Sequence, residues 1–219
     1  MINNINLLVG YKKSKSKKIL VINRKGGAGK STLAISTAAV LTLKNIQTEI
    51  IDLDPQETSY SWGIKTSNIR SQKHSLHSRI PFSFASRIQW NTDVTVIDTP
   101  SNFSAIQMNN YLNLCDKILF PIQPTPIDIH SMLGFIRQLI NSKVFLDRKI
   151  ELAFVITRYN NKYELNLLQN VLKHLKHPTL GIMTDSNCYL NLYECKDNGE
   201  GIMLLDSQLW NNVETWILQ

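Results

Sequence analysis

A chain of 219 residues with 43 % hydrophobic content can bury one good core and reads as one domain; it holds no apolar run of the roughly 20 residues that a membrane span requires, and its start lacks the features of a secretion signal. Three cysteines, Cys115, Cys188 and Cys195, with no C-x-x-C pair argue against a disulfide frame or zinc site and suit a reducing cytoplasm. The net charge of +7 is uneven: residues 1–48 hold nine Lys/Arg and no acid, residues 58–92 hold five and no acid, and the remainder sums to −7, a distribution that makes contact with nucleic-acid phosphates plausible.

The chain opens with residues 1–17, a basic arm rich in lysine (Lys12, Lys13, Lys15, Lys17, with Lys18 beyond it) that cannot offset the entropy of ordering through burial. It reads either as a weak, salt-sensitive nucleic-acid arm or as a solubilising tail, and it is too short for a helix-turn-helix domain. Residues 18–219 read as the single folded domain. Residues 19–22 are an apolar strand and residues 33–43 a helix. Between them stands Asn23-Arg24-Lys25-Gly26-Gly27-Ala28-Gly29-Lys30-Ser31-Thr32. Strand, glycine-rich turn and helix form the context of a phosphate-binding loop. The glycines let backbone N–H groups point inward and, with the helix N-terminus, form a cage for anionic oxygens. Lys30 then reaches β- and γ-phosphates, and Ser31 places its hydroxyl on Mg²⁺.

Residues 48–56 read as a second strand ending in two carboxylates, Asp52 and Asp54 of Asp52-Leu53-Asp54-Pro55-Gln56, with Pro55 stopping the ladder. Strand alternation puts Asp52 and Asp54 on one face, at the carboxyl end where open α/β sheets bind ligands. Residues 57–92 are polar and irregular, with short helices near 58–63 and 84–90. Residues 93–98 form a strand ending in Asp98, a place from which an acid holds Mg²⁺, usually through water. A helix over 103–114 and a strand over 117–121 follow, then a proline-rich extended path and a long amphipathic helix over 129–145. A strand at 150–157 ends in Thr157-Arg158. Beyond it come a helix at 163–175, a strand at 179–183, a helix at 189–195, a turn at 199–201 and a closing helix at 204–218. This alternation predicts an α/β fold: a mostly parallel twisted sheet with helices on both faces.

The motifs K-G-G-x-G-K-S, D-x-D-P-Q, Asp98-Thr99-Pro100 and P-x-x-P-T-P-x-D together resemble the ParA/MinD family of P-loop ATPases with a deviant Walker A motif, and most of all its small, ParF-like partition proteins. The resemblance covers about residues 18–218. It implies ATP and Mg²⁺ as ligands, an ATP-bound homodimer, non-specific DNA binding, and a centromere-binding, ParB-like partner that stimulates a weak hydrolysis. It also implies roles: residues Gly26 to Thr32 and Lys25 bind nucleotide, Lys25 reaches across the dimer to the neighbour's phosphates, Asp52 supports the metal shell with Ser31 and Asp98, Asp54 orients the attacking water, and Thr99 and Pro100 form the γ-phosphate switch. The catalytic set is then Lys25, Lys30 and Asp54, and a cytoplasmic, nucleoid-associated location follows. An arginine common after the family's late strand is missing from residues 183–187, which leaves Arg158 and the arm lysines (Lys12, Lys13, Lys15, Lys17, Lys18) as candidate DNA contacts. Three alternatives have sequence discriminators. A membrane-positioning relative needs a basic amphipathic tail, and residues 204–219 contain no Lys or Arg. An iron–sulfur relative needs two suitably placed cysteines per subunit. A nucleotide-gated adaptor for a cargo other than DNA shares the same nucleotide motifs.

Overall fold

In β1 (Lys17–Val21), Ile19 and Val21 enter one apolar layer, while Leu20, with Ile22 just beyond the strand, enters another. That is the alternation required of a sheet covered on both faces. The computed structural model describes residues 16–66, 68–74, 91–158 and 161–219. Among them, β1 is joined by β2 (Thr48–Asp52), β3 (Arg70–Lys73), β4 (Val94–Asp98), β5 (Lys117–Ile122), β6 (Glu151–Thr157) and β7 (Thr179–Met183). All pairings are parallel, in the spatial order β3-β2-β4-β1-β5-β6-β7. The chain fills one side of β1 with β2, β3 and β4 before filling the other with β5, β6 and β7. The loop leaving β1 therefore sits where such sheets open a crevice at their carboxyl ends.

One face is covered by α1 (Lys30–Leu43), α2 (Thr58–Gly63), and the later helices α7 (Asn187–Tyr193), α8 (Glu200–Leu205) and α9 (Ser207–Leu218). The other is covered by α3 (Ala105–Leu112), α4 (Pro126–Ile140), α5 (Lys143–Arg148) and α6 (Lys162–His174). The last helix lays Leu209, Trp210, Val213, Trp216 and Ile217 into the first layer, so its apolar side is spent on the core. No helix among the described residues is long and apolar enough to cross a membrane.

Four expectations need correction. The strand starts at Lys17, not at residue 19, so Lys17 and Lys18 belong to the sheet and not to an arm; Lys17 Nζ donates to the Leu218 carbonyl. The helix expected over 129–145 is two helices. Pro126 starts the first early because it needs no N–H partner at N1, and Ser142 caps the second, its hydroxyl accepting from Phe145 N at 3.2 Å. The turn at 199–201 is the start of α8, with Gly199 at φ 111° as its N-cap, and Asp206 separates α8 from α9. Finally, residues 70–73 form β3. Its Gln72 donates to Glu49 Oε1 at 2.8 Å and Arg70 stands 3.6 Å from Glu49 Oε2, so this polar edge strand serves a buried carboxylate on β2. The helix expected near 84–90 and the lysines Lys12, Lys13 and Lys15 lie outside the described residues.

Candidate functional site

The loop between β1 and α1 is held by its carbonyls. Arg24 O accepts from Asn102 N at 3.0 Å, Lys25 O from Lys30 Nζ at 3.1 Å, Gly27 O from Gln123 Nε2 at 2.9 Å and Arg158 at 3.5 Å, and Ala28 O from Thr157 Oγ1 at 3.2 Å. Asn23 braces the entry, donating to Pro121 O and accepting from Lys25 N. With these carbonyls already paired, the amides are what the loop offers to an anion. Gly27 and Gly29 adopt φ +74° and +88°, which a side chain would strain. Gly29 is also the N-cap of α1, whose first turn carries no acid and no side-chain cap; the helix dipole there faces the loop unopposed. Arg24 anchors the outer side, its guanidinium 5.0 Å from the Phe135 ring centre and 5.6 Å from that of Phe103, with Gln138 accepting from it.

Two carboxylates end the strands next to the loop. Asp98 is fully buried, and among the described residues no donor holds either of its oxygens in a well-formed hydrogen bond, although the Ser31 and Ser59 hydroxyls stand close to it. Burial and the charge of Asp52 push it up to about 7, against the pull of Ser31, Ser59 and Lys30. An under-satisfied acceptor pair beside the Ser31 hydroxyl is a donor set of hard oxygens, which fits Mg²⁺. Asp52 is differently employed: Oδ1 accepts from Asp54 N and Oδ2 from Tyr60 N, both at 2.9 Å. It therefore shapes the turn after β2, and burial raises its pKa against those two bonds. Lys30 is 7 % exposed; burial pulls its ammonium below the ordinary value, and Asp98 and Asp54 oppose that shift. A buried cation partnered chiefly by a carbonyl is poised for an anion.

The strand ends at Asp52, so alternation does not set the direction of Asp54. A turn does: Asp54 Oδ1 accepts from Gln56 N at 2.9 Å. Asp54 lines a cleft of about 560 Å³ with Asp52, Pro100, Phe103 and Tyr111. Burial and the charge of Asp54 push the Tyr111 phenol up to about 12. Thr99 is buried and its hydroxyl donates to Val21 O at 2.9 Å, tying the segment after β4 to the start of the loop; Pro100 stays at the cleft surface.

On the other side of the loop, Gly29, Ser31 and Thr32 share a cavity of about 360 Å³ with Thr157 and Arg158 at the end of β6, residues 183–186 at the end of β7, and Tyr189, Leu190 and Tyr193 of α7. Its walls mix aromatic, aliphatic and hydroxyl groups, as a site for a planar base requires. Thr157 and Arg158 line it; Tyr159 and Asn160 lie outside the described residues. The wall from β7 and α7 carries no motif and escapes a sequence reading. A larger cavity of about 740 Å³, between α6, β7 and the start of α9, lies away from this chemistry.

Lys25 ion-pairs with Asp128 of its own chain, near the start of α4, and its side chain is 42 % exposed. Asp128 also accepts from Thr125 Oγ1 at 2.6 Å. Of the expected DNA contacts, Lys17 is committed to Leu218, Lys18 Nζ lies 3.4 Å from Ser16 O, and Arg158 faces the loop carbonyl of Gly27 and lines the base-sized cavity. These three do not form one basic surface.

The family model described as the CobQ/CobB/MinD/ParA nucleotide binding domain matches residues 19–195. Among characterised proteins, the maintenance of carboxysome distribution protein A of Halothiobacillus neapolitanus is 26 % identical over 166 residues, 74 % of this chain and 76 % of that protein. Among solved structures, a plasmid partition protein from Borrelia burgdorferi bound to AMPPNP superposes with a TM-score of 0.71 at 19 % identity, covering 93 % of this chain and 98 % of that one. Cobyrinic acid a,c-diamide synthase from Mycobacterium smegmatis, with bound ADP and magnesium, gives 0.58 at 17 % identity over 82 % and 91 % of the two chains.

Proposed function

Since the chain belongs to the CobQ/CobB/MinD/ParA nucleotide-binding family, we propose that it is a Mg²⁺-dependent ATPase whose ATP-bound form is a homodimer that partitions DNA. The observation that carries the reading is the convergence of buried Lys30 and the under-satisfied carboxylate of buried Asp98 on one carbonyl-pinned loop, close enough to feel each other's charge. The AMPPNP-bound partition protein and the ADP- and magnesium-bound synthase support the choice of ligands.

In this reading the loop amides and Lys30 hold the phosphates, and Thr32 and the cavity beyond it take the ribose and base. Ser31 and Asp98 would hold Mg²⁺, which when bound screens phosphate charge. Asp52 keeps the turn that presents Asp54, and Asp54 orients the attacking water. Thr99 and Pro100 couple the cleft to the end of β1. Lys25 reaches a neighbouring subunit only by exchanging Asp128 for that subunit's phosphates. Turnover rests on positioning, so it is slow until a ParB-like partner fixes the geometry. DNA contact then falls to the arm lysines Lys12, Lys13 and Lys15, beyond the committed Lys17, Lys18 and Arg158.

A second reading, positioning of a cargo other than DNA, is favoured by the carboxysome-distribution relative. The test is a gel shift on random-sequence DNA with ATP, with ADP and without nucleotide, at two salt concentrations, beside ATP turnover and solution mass. ATP-dependent, salt-sensitive DNA binding by a dimer supports partition. Turnover and dimerisation without DNA binding support the other cargo. Absence of ATP turnover with and without Mg²⁺ overturns the ATPase itself.

A further inference from the structure

The joint between α8 and α9 is a single residue, Asp206, with φ −122° and ψ 44°. Its backbone serves the helices: N donates to Ile202 O at 2.9 Å and O accepts from Trp210 N at 3.1 Å. Its carboxylate serves neither helix. Oδ2 accepts from Thr184 N at 3.0 Å and from the Tyr189 hydroxyl, and Oδ1 accepts from Thr184 Oγ1 at 2.6 Å. All three donors belong to two residues, Thr184 and Tyr189, and both line the cavity beside Ser31 and Thr32. Burial and this carboxylate together raise the Tyr189 phenol above its ordinary pKa, so the hydroxyl keeps its proton to donate.

Thr184 is the first residue after β7, where no ladder bond fixes the backbone, and Tyr189 belongs to a helix of one to two turns. Neither would hold a defined wall alone. A charged acceptor with three donors, drawn from outside the cavity, fixes both at once. Building on the nucleotide reading above, we infer that Asp206 is the positioning residue of the base subsite: it touches no ligand but sets the wall formed by Thr184 and Tyr189. The phosphate loop depends on a different set of anchors, Asn23, Gln123 and Thr157. Loss of Asp206 therefore weakens recognition of the nucleoside and spares recognition of the phosphates.

The experiment is equilibrium binding of MgATP, MgGTP and Mg-tripolyphosphate to the parent, Asp206→Ala, Tyr189→Phe, Thr184→Val and Thr184→Ser, with circular dichroism on each. The parent binds MgATP more tightly than tripolyphosphate. Asp206→Ala loses about tenfold or more of its MgATP affinity, as expected for a charged acceptor with several donors, narrows the preference for ATP over GTP, and leaves tripolyphosphate affinity unchanged. Tyr189→Phe and Thr184→Val lose less, and Thr184→Ser, which keeps the hydroxyl, binds like the parent. Equal losses for MgATP and tripolyphosphate reduce Asp206 to a helix joint and overturn the inference. Parent-like MgATP binding by Asp206→Ala also overturns it while leaving the base cavity standing. Equal parent affinity for MgATP and tripolyphosphate removes the base cavity, and the inference with it. Where Asp206→Ala does not fold, Tyr189→Phe, which deletes one oxygen, decides between the same outcomes.

Discussion

Lysines stand at both ends of the sheet and are used in opposite ways. At the amino ends of the strands Lys17 donates to Leu218 O, Lys117 donates to Trp216 O at 2.7 Å and to Glu151 at 3.2 Å, and Lys44, just after α1, meets Glu214 and Asn211. Each is tied to the last helix or a strand neighbour, and the carbonyls that Lys17 and Lys117 take are ones that a helix end leaves unpaired. At the carboxyl ends, Lys30 has one loop carbonyl as its partner and Lys25 a side-chain pair that it can exchange. The same charge is structural where the fold supplies its acceptors and available for a ligand where it does not.

The sharpest way to break this comparison is to exchange the two ends by mutation. Lys30→Ala should lower MgATP affinity by on the order of 100-fold or more, since it removes a buried, preorganised cation; calorimetric titration reads it, and parent-like affinity would mean that the loop amides suffice. Asp54→Ala should keep MgATP binding and dimerisation but slow turnover by about 10²-fold or more, the scale of a lost positioned polar group. Full turnover would take Asp54 out of the water-orienting role. Lys117→Ala leaves nucleotide affinity unchanged but costs about 1–3 kcal/mol, because it strips the Trp216 carbonyl of a charged donor inside the core. A drop in the urea midpoint together with a drop in MgATP affinity would erase the division between the ends.

Two smaller effects sharpen the contrast. In the nucleotide-free, Mg²⁺-free protein, Asp98 has a folded pKa raised to about 7 from an ordinary 3.8. The folded state then holds a proton that the unfolded state has released, so this group lowers stability progressively as pH rises from about 4 to about 7. Asp98→Asn should flatten that part of the pH–melting profile, and an unchanged slope would show that Asp98 stays ionised in the fold. Lys17→Ala should cost least, about 0.5–1 kcal/mol at a part-exposed helix end, measured by the same urea titration.

What could be read from the chain divides along the same line. The phosphate loop and the acid-tipped strands are legible because each is a run of consecutive residues whose spacing carries the chemistry, and the strands are short runs rich in Ile, Val and Leu. β3 hides because its Arg-Ser-Gln-Lys serves the buried Glu49 instead of an apolar face. The break after Ile140 hides because its helical periodicity continues on the far side of Ser142. Asp206 and the cavity wall it holds hide for a deeper reason: Thr184 and Tyr189 reach it across 22 and 17 residues, and no local pattern announces a bond of that kind. Arg158, proposed as a DNA contact for want of the family's late-strand arginine, lies against the Gly27 carbonyl and lines the cavity beside Ser31, a placement that its neighbours in the sequence do not announce.

The tie between Lys17 and Leu218 joins the opening strand to the closing helix across 201 residues. Both ends of the described domain therefore meet on the side away from the phosphate loop. A circular permutant that links Gln219 to Ser16 through a few glycines and opens at Asn141-Ser142, a surface joint between helices, should fold and titrate with MgATP like the parent. Labels or tethers attached at Ser16 or Gln219 would likewise stand clear of the phosphate loop.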